Sequence, residues 1–155
     1  MVTQKMRDDF EEFLVEMDFL LEDLGALLSA TRRWSGQLVA FDDGSLDEIE
    51  AFYLTVLSDK ERVAVSQARL DRIIIAFYGE ALRERRDAGE WRLCDAKGDP
   101  ALGTPVVADW APGAEFFAPV VAREFQKEDR KPFLRELVDY AVNLENVEED
   151  FFKDL

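Results

Sequence analysis

Histidine is absent from the 155 residues, and cysteine occurs once, as Cys94. Without histidine the chain has no Ser-His-Asp or Cys-His catalytic set, no histidine-ligated metal site and no imidazole general base. One cysteine forms neither an intrachain disulfide nor a thiolate metal site, which suits a reducing compartment. The phosphate-binding patterns GxxxxGK[ST] and GxGxxG are also missing, so the sequence predicts no known nucleotide-binding loop.

Long apolar runs are absent as well. None approaches the roughly 20 residues that a membrane-spanning helix needs, and the acidic start MVTQKMRDDFEEF lacks the apolar core of a signal peptide. We therefore expect a soluble, cytoplasmic protein without a membrane partner. Apolar residues nevertheless make up 48% of the chain and aromatic residues 12%, which predicts a folded core in a single domain, residues 1–155.

Positive charge is scarce: 19 Lys and Arg stand against 34 Asp and Glu, a net charge of −15. The surplus lies at the two ends, since residues 1–30 hold 8 acids and 2 bases (net −6) and residues 128–155 hold 9 and 4 (net −5). Phosphate backbones are bound by clustered Lys and Arg, so no direct nucleic-acid binding is expected. The simplest interpretation of the charge is that it keeps the protein soluble, and a basic protein partner is the alternative.

The first acidic end contains the clearest predicted helix. Its apolar residues recur at steps of three and four: Phe10, Phe13, Leu14, Met17, Leu20, Leu21, Leu24, Leu27 and Leu28. The other face carries acids, of which Asp8, Glu12 and Glu16 follow one another at four-residue spacing. Such a face is normally solvated, and a hard cation is the alternative ligand for it. We expect Glu12 and Glu16 to be exposed.

A partner-binding site is predicted where the charge surplus lies. It consists of acids from both ends of the chain: Asp8, Glu12, Glu16, Asp23, Asp139, Glu148 and Glu149. No catalytic, cofactor-binding or metal-ligating residue is assigned. The functional role of the acids rests on charge alone, because complementary charge speeds the association of two proteins.

Two serine–glutamate capping boxes predict the starts of two further helices. Ser45 with Glu48 opens the first, after a turn at Phe41–Gly44, and Ser58 with Glu61 opens the second. In each box the serine accepts a hydrogen bond from the amide three residues on, while the glutamate reaches back. The second of these helices is predicted to run to Leu82.

Gly79 lies inside that helix, just after the apolar run Ile73–Tyr78. An exposed interior glycine costs a helix roughly 1 kcal/mol relative to alanine. We therefore expect Gly79 to allow a close helix–helix or helix–strand contact, which a side chain would block. Glu80 and Arg83, three residues apart, are predicted to form an ion pair.

After Gly89 the pattern changes from helical to extended. Trp91–Asp95 and Pro105–Trp110 are predicted strands, and Glu115–Phe117 is a third short extended piece. The fold class is therefore α+β: a mostly helical single domain with a small antiparallel sheet of two or three strands within residues 91–118. We expect at least one more helix within residues 119–145, and a buried, unreactive Cys94. The predicted core comprises Phe13, Met17, Leu20, Leu21, Leu24, Phe52, Ile73, Ile74, Phe77, Trp91, Val106 and Phe125.

The segment from Phe77 to Val107, FYGEALRERRDAGEWRL…GTPVV, resembles in its layout small bacterial domains of unknown function. In these domains a helix with a Tyr/Phe-x-Gly-Glu-like element leads to a Gly-x-Trp strand and then to a hairpin. Some of them are immunity proteins of polymorphic toxin systems. The resemblance covers about a fifth of the chain and includes no catalytic motif, so it implies a fold and a kind of partner but no site residues.

Three functions are compatible with these patterns. The favoured one is a non-enzymatic acidic protein-binding domain, in its most concrete form an immunity or inhibitor protein that neutralises a basic effector. A structural homo-oligomer subunit, such as a homodimer formed through the wide apolar face of the first helix, is the second. An enzyme that uses carboxylates, alone or with a divalent metal, is the third.

Overall fold

The structure, a computed structural model, describes residues 1–30, 40–126 and 133–153, with backbone only from residue 144 onward. Its elements in chain order are α1 (Gln4–Ala30), α2 (Asp43–Leu57), α3 (Gln67–Arg86), β1 (Glu90–Leu93), β2 (Pro105–Ala108), α4 (Pro119–Glu124) and α5 (Leu134–Lys153). The fold is α+β and mostly helical, with a small two-stranded antiparallel sheet, as the sequence predicts. Helices fall in both the N-terminal half and residues 119–145, also as predicted.

Helix α3 lies at the centre because its apolar residues cover almost its whole circumference. Every residue from Ile73 to Gly79 is buried, and α3 packs against α1, α4, α5 and β2. The hydroxyl of Tyr78, in the middle of this run, donates a hydrogen bond to the carbonyl oxygen of Leu46 in α2. A polar group buried among apolar side chains is thereby satisfied, which avoids a desolvation cost of about 1–3 kcal/mol.

The sheet is a two-stranded antiparallel hairpin that packs against α1 and α3. Strands β1 and β2 are antiparallel, with Trp91 opposite Val107. Val107 also forms an antiparallel bridge with Phe117, which is the remnant of the third extended piece predicted for residues 115–117. Helix α1 packs against β1, and α3 packs against β2.

Gly79 makes the close helix–strand contact that the sequence predicts, and the approaching group is a ring. A Cβ atom built on Gly79 would lie 2.2 Å from Cη2 of Trp91 in β1. Two contacts fix the indole of Trp91. Its Nε1 donates a hydrogen bond to Oε1 of Glu80 at 2.6 Å, and its ring packs edge-on against that of Phe13, with the ring centroids 5.0 Å apart. The predicted ion pair between Glu80 and Arg83 is confirmed, with Oε1 and Nη1 2.6 Å apart.

The capping box predicted at Ser45 is wrong, because an aspartate three residues earlier caps the helix. Asp42 is the N-cap of α2, and its Oδ1 accepts a hydrogen bond from the amide of Ser45 at 2.7 Å. This bond holds the pKa of the Asp42 carboxyl below its usual value, and a negative charge suits the positive end of the helix dipole. The expected turn at Phe41–Gly44 is therefore partly the first turn of α2.

The capping box predicted at Ser58 is also wrong, since Ser58 ends α2 instead of starting α3. Its amide donates to the carbonyl oxygen of Leu54 at 3.0 Å, and Asp59 follows with a left-handed φ of 58°. Helix α3 begins only at Gln67, where the hydroxyl of its N-cap, Ser66, accepts a hydrogen bond from the amide of Arg69 at 3.2 Å.

The predicted core is largely confirmed. The buried members are Phe13, Leu20, Leu24, Phe52, Ile73, Ile74, Phe77 and Val106, while Met17, Leu21 and Trp91 are partly buried and pack against the main core. Phe125 is wrong, because 73% of its surface is exposed. Phe125, the C-cap of α4, keeps helical backbone angles and lies two residues after the buried Arg123, so at 3.6 residues per turn it points to the opposite side of the helix. Cys94 is fully buried, as predicted, beside Ala101 and Val106.

Candidate functional site

Helix α1 has a buried face and a charged remainder. Phe13, Leu20, Leu24 and Leu28 are fully buried, and their spacing defines the side that faces the core. From Asp8 to Ala30 the helix contains eight acidic residues and no Lys or Arg. With 3.6 residues per turn, these acids divide into two groups: those at the edge beside α3, and those that point away from the protein.

The edge beside α3 is neutralised within the protein. Arg69 of α3 places Nη2 2.6 Å from Oδ2 of Asp23 and Nη1 3.4 Å from Oε2 of Glu16. Arg72 lies one turn further on, 3.9 Å from a carboxylate oxygen of Asp9 and at the same distance from Glu12. These contacts attach α1 to α3 and use up much of the local negative charge.

The expectation that Glu12 and Glu16 are both exposed is therefore half correct. The side chain of Glu12 is 55% exposed, but that of Glu16 is only 28% exposed. Glu16 is partly covered because the guanidinium of Arg69 lies against it. Because Glu16 is paired with Arg69, its main role is to attach α1 to α3, and it adds little to the negative charge of the outward surface.

The outward side of α1 carries acids around two exposed apolar side chains. Val15 is 80% exposed and Phe19 is 62% exposed. Around them lie Asp8, Glu11, Asp18 and Glu22, all exposed. Within the described ranges Glu11, Asp18 and Glu22 form no ion pair, and Asp8 accepts a hydrogen bond only from Nε2 of Gln4, at 2.9 Å. We call these six residues the acidic–apolar face.

Sequence reasoning found one member of this face, Asp8, and missed the other five. The signal was present: Glu11, Val15, Asp18 and Glu22 follow one another at steps of four, three and four, which is the spacing of a single helical stripe. Val15 and Phe19 fall outside the main apolar pattern of the helix. An apolar residue off that pattern is a residue on the solvent side.

The predicted acids of the C-terminal end lie on a different part of the protein. Asp139 is in α5, where its Oδ1 is 3.0 Å from Nη1 of Arg85 in α3. Helix α5 packs against α2, α3 and α4, whereas α1 packs against α3 and β1. The side chains of Glu148 and Glu149 lie outside the described residues.

A second charged group, Glu50 with Arg123, is buried in the protein. Oε2 of Glu50 is 2.8 Å from Nη1 of Arg123, and both side chains are almost completely buried. Oε1 of Glu50 accepts hydrogen bonds from the amides of Phe133 and Leu134, at 2.5 and 2.6 Å. Burial raises the pKa of the Glu50 carboxyl, although these amide hydrogen bonds and the charge of Arg123 act in the opposite direction. The group joins α2 to α4 and to the start of α5, which is a structural role.

Two kinds of site are not found in the part of the chain that the structure describes. No three His, Cys, Asp or Glu residues there are grouped so that they could hold a metal ion. None of the described helices combines the length and the apolarity needed to cross a bilayer.

Comparisons with known protein families, with curated proteins and with solved structures find no match to this chain. The acidic–apolar face is a surface of the described structure where two exposed apolar side chains and acids without an ion pair coincide.

Proposed function

We propose that this protein is a non-enzymatic protein-binding domain, and that the acidic–apolar face of α1 is the surface that docks a basic partner. The observation that carries the proposal is the exposure of Val15 and Phe19 among acids that have no ion pair in the described structure. An aromatic side chain surrounded by charge of one sign suits a partner with an apolar pocket and a rim of Lys and Arg.

The apolar and charged residues of the face would contribute in different ways. Complete burial of a Phe side chain is worth about 1.5–3 kcal/mol, so Phe19, already partly covered, would act as an anchor of somewhat smaller value. Charges at the edge of an interface add little affinity, but they raise the association rate and make it depend on salt. Removing Phe19 should therefore speed dissociation, and reversing Glu11, Asp18 and Glu22 should slow association.

The most concrete form of this proposal is an immunity or inhibitor protein that covers a basic effector in the cytoplasm. Two features support it: the layout of the segment from Phe77 to Val107, and the single buried cysteine, Cys94, which suits a reducing compartment.

A homodimer formed through α1 is less well supported by this surface. A two-fold axis on the acidic–apolar face would bring acids of one copy against acids of the other, which is repulsive at low salt. Light scattering at micromolar concentration tests the oligomer hypothesis directly. A carboxylate enzyme stays a prediction, and equilibrium dialysis against Mg²⁺, Mn²⁺ and Ca²⁺ tests its metal-dependent form.

The test uses matched variants of the whole chain as bait in an extract of the native host. The first variant is Phe19→Ala, with Phe125→Ala as its control, because Phe125 is also exposed (73%, against 62% for Phe19) but lies at the end of α4. The second reverses three acids of the face, Glu11, Asp18 and Glu22, to lysine. Its control reverses three exposed acids elsewhere: Glu84, Asp95 and Glu136.

We expect the wild type and both control variants to capture the same partner, and both variants of the acidic–apolar face to lose it. With that partner purified, stopped-flow mixing at low and high salt should show association several-fold slower for the charge-reversed face at low salt only. A partner that is retained by both face variants would show that binding occurs elsewhere. An association rate independent of salt would leave the acids as a solvated surface.

A further inference from the structure

A cavity of about 390 Å³ opens where α2, the start of α3 and α4 meet, and it contains no residue of the acidic–apolar face. Leu54 and Leu57 of α2 and Val120 of α4 form its apolar wall. Its volume falls within the range of about 300–1,000 Å³ typical of small-molecule sites. Apolar walls of this kind accept a compact hydrocarbon or aromatic group.

A carboxylate is held in place at the α3 side of the cavity. Oδ1 of Asp71 accepts two hydrogen bonds at 2.7 Å, one from the hydroxyl of Tyr53 and one from Nε2 of Gln67. Both donors are neutral, so they orient the carboxylate without cancelling its charge. Among the described residues Asp71 has no ion pair, and Oδ2 receives no hydrogen bond.

A second carboxylate, that of Glu124 in α4, lines the same cavity and is exposed. The nearest cation in the lining is Arg123, but its Nη1 is 2.8 Å from the buried carboxylate of Glu50. That pair is neutral as a unit, so the charges of Asp71 and Glu124 remain. The pKa of Tyr53 shows the same imbalance: burial raises it most, and Asp71 and Glu124 raise it further, while Arg123 lowers it.

We propose that this cavity binds a small organic cation, an ammonium, amidinium or guanidinium group carried on an apolar body. The cationic group would lie between the carboxylates of Asp71 and Glu124, and the body would lie against the wall formed by the two leucines and Val120. A planar amidinium or guanidinium presents paired N–H donors that match a carboxylate. An anionic ligand would instead meet two carboxylates and an arginine already bound to Glu50. This site is independent of the proposed protein-binding face.

Benzamidine is the probe, and benzamide and benzoate are its neutral and anionic counterparts of the same shape. Titration calorimetry at low salt should show benzamidine binding at least tenfold more tightly than benzamide, with no heat from benzoate. Asp71→Asn and Glu124→Gln should each weaken benzamidine binding about tenfold. Glu84→Gln is the control, because Glu84 is an exposed acid of α3 outside the cavity, and it should bind like the wild type.

Each other outcome overturns the proposal. Wild type that does not bind benzamidine, or binds benzamide as well, removes the cation preference. Equal weakening in Glu84→Gln shows that net charge, and not this cavity, attracts the probe. If Asp71→Asn unfolds because its contacts to Tyr53 and Gln67 are altered, the Glu124→Gln variant, changed at an exposed residue, provides the test: unchanged benzamidine binding in that variant overturns the proposal. None of these results bears on capture by the acidic–apolar face, which the bait experiment tests separately.

Discussion

Replacing Gly79 with alanine should destabilise the protein, although alanine is the better helix former. Propensity alone would favour the alanine variant by roughly 1 kcal/mol. The new Cβ, however, would lie 2.2 Å from Cη2 and 2.5 Å from Cζ2 of Trp91. Non-bonded carbon atoms rest at about 3.5–4.0 Å, so the indole ring or the helix must move by more than 1 Å.

The expected loss in the free energy of unfolding follows from the contacts of Trp91. The indole of Trp91 is held by its hydrogen bond to Glu80 and by its edge-on contact with Phe13, so it is not free to swing aside. Overpacking costs about 1–3 kcal/mol, and loss of an aromatic pair costs about 0.5–1.5 kcal/mol. After subtraction of the propensity gain, the net loss is about 2 kcal/mol. For a chain of this size that lowers the melting temperature by about 4–8 °C.

Thermal and urea unfolding, followed by circular dichroism, measure this loss. Gly44→Ala is the matched control in α2, because its Cβ would meet only Oδ1 of Asp42, at an ordinary 3.6 Å. That variant should be unchanged or up to about 1 kcal/mol more stable. The double variant of Gly79→Ala with Trp91→Phe should lose less than the sum of the single variants, because the smaller ring vacates the contact. A Gly79→Ala variant as stable as the wild type would refute the packing explanation.

Other predictions concern buried groups. Glu50→Ala should cost about 3–5 kcal/mol in denaturant titrations, because it removes the buried acceptor of Arg123 Nη1 and of the amides of Phe133 and Leu134. The pKa of Glu50 is raised by burial from its ordinary value of 4.5, so the stability advantage of the wild type over Glu50→Ala should shrink as the pH rises from that value through the raised one. An advantage that grows over this interval would contradict the direction of the shift. The thiol of Cys94 is fully buried and its pKa is raised by burial, so Ellman's reagent should label it only in denaturant. Rapid labelling of the native protein would show that the packing of Cys94 against Ala101 and Val106 opens.

The centre of the fold was predictable because burial leaves few alternatives. The run Ile73–Tyr78 is apolar on nearly every side, and such a helix is stable in water only when other elements surround it. The change to an extended pattern at Trp91, after the glycine at position 89, likewise has one simple explanation, a hairpin. Gly79 and Trp91 were each recognisable as core positions, but their contact required the register that the three-dimensional structure gives.

Helix starts were not predictable, because neighbouring caps compete and the sequence does not rank them. Asp42 and Ser45 are both residue types that favour the N-cap position, and they are three residues apart. In the structure the carboxylate of Asp42 accepts a hydrogen bond from the backbone amide of Ser45, so the helix begins before Ser45. Ser58 suits the start or the end of a helix equally well. In the structure the left-handed backbone of Asp59 ends α2, and Ser58 therefore lies at the end of that helix. Aspartate adopts this conformation at little cost but does not require it, so the sequence alone does not reveal it.

The candidate site was only partly predictable, because a sequence shows charge but not pairing. The charge surplus of residues 1–30 pointed to α1, and Asp8 is on the outward side. Glu16 and Asp23 were assigned to the same site, yet both are paired with Arg69, which is 53 and 46 residues away along the chain. Contacts over such separations arise from the packing of α1 on α3, which no local pattern contains.

This difference between paired and unpaired acids can be measured by comparing two single reversals on one helix. Glu16→Lys places a cation beside Arg69, so it should lower the free energy of unfolding by roughly 1 kcal/mol, the upper end for a partly exposed pair. Glu11→Lys disturbs no ion pair in the described structure and should change stability by less than about 0.5 kcal/mol. With a purified partner the order should invert, because Glu11 lies on the acidic–apolar face and Glu16 at its edge. If Glu16→Lys slows association more than Glu11→Lys does, the docking surface is the edge beside α3 and not the outward face of α1.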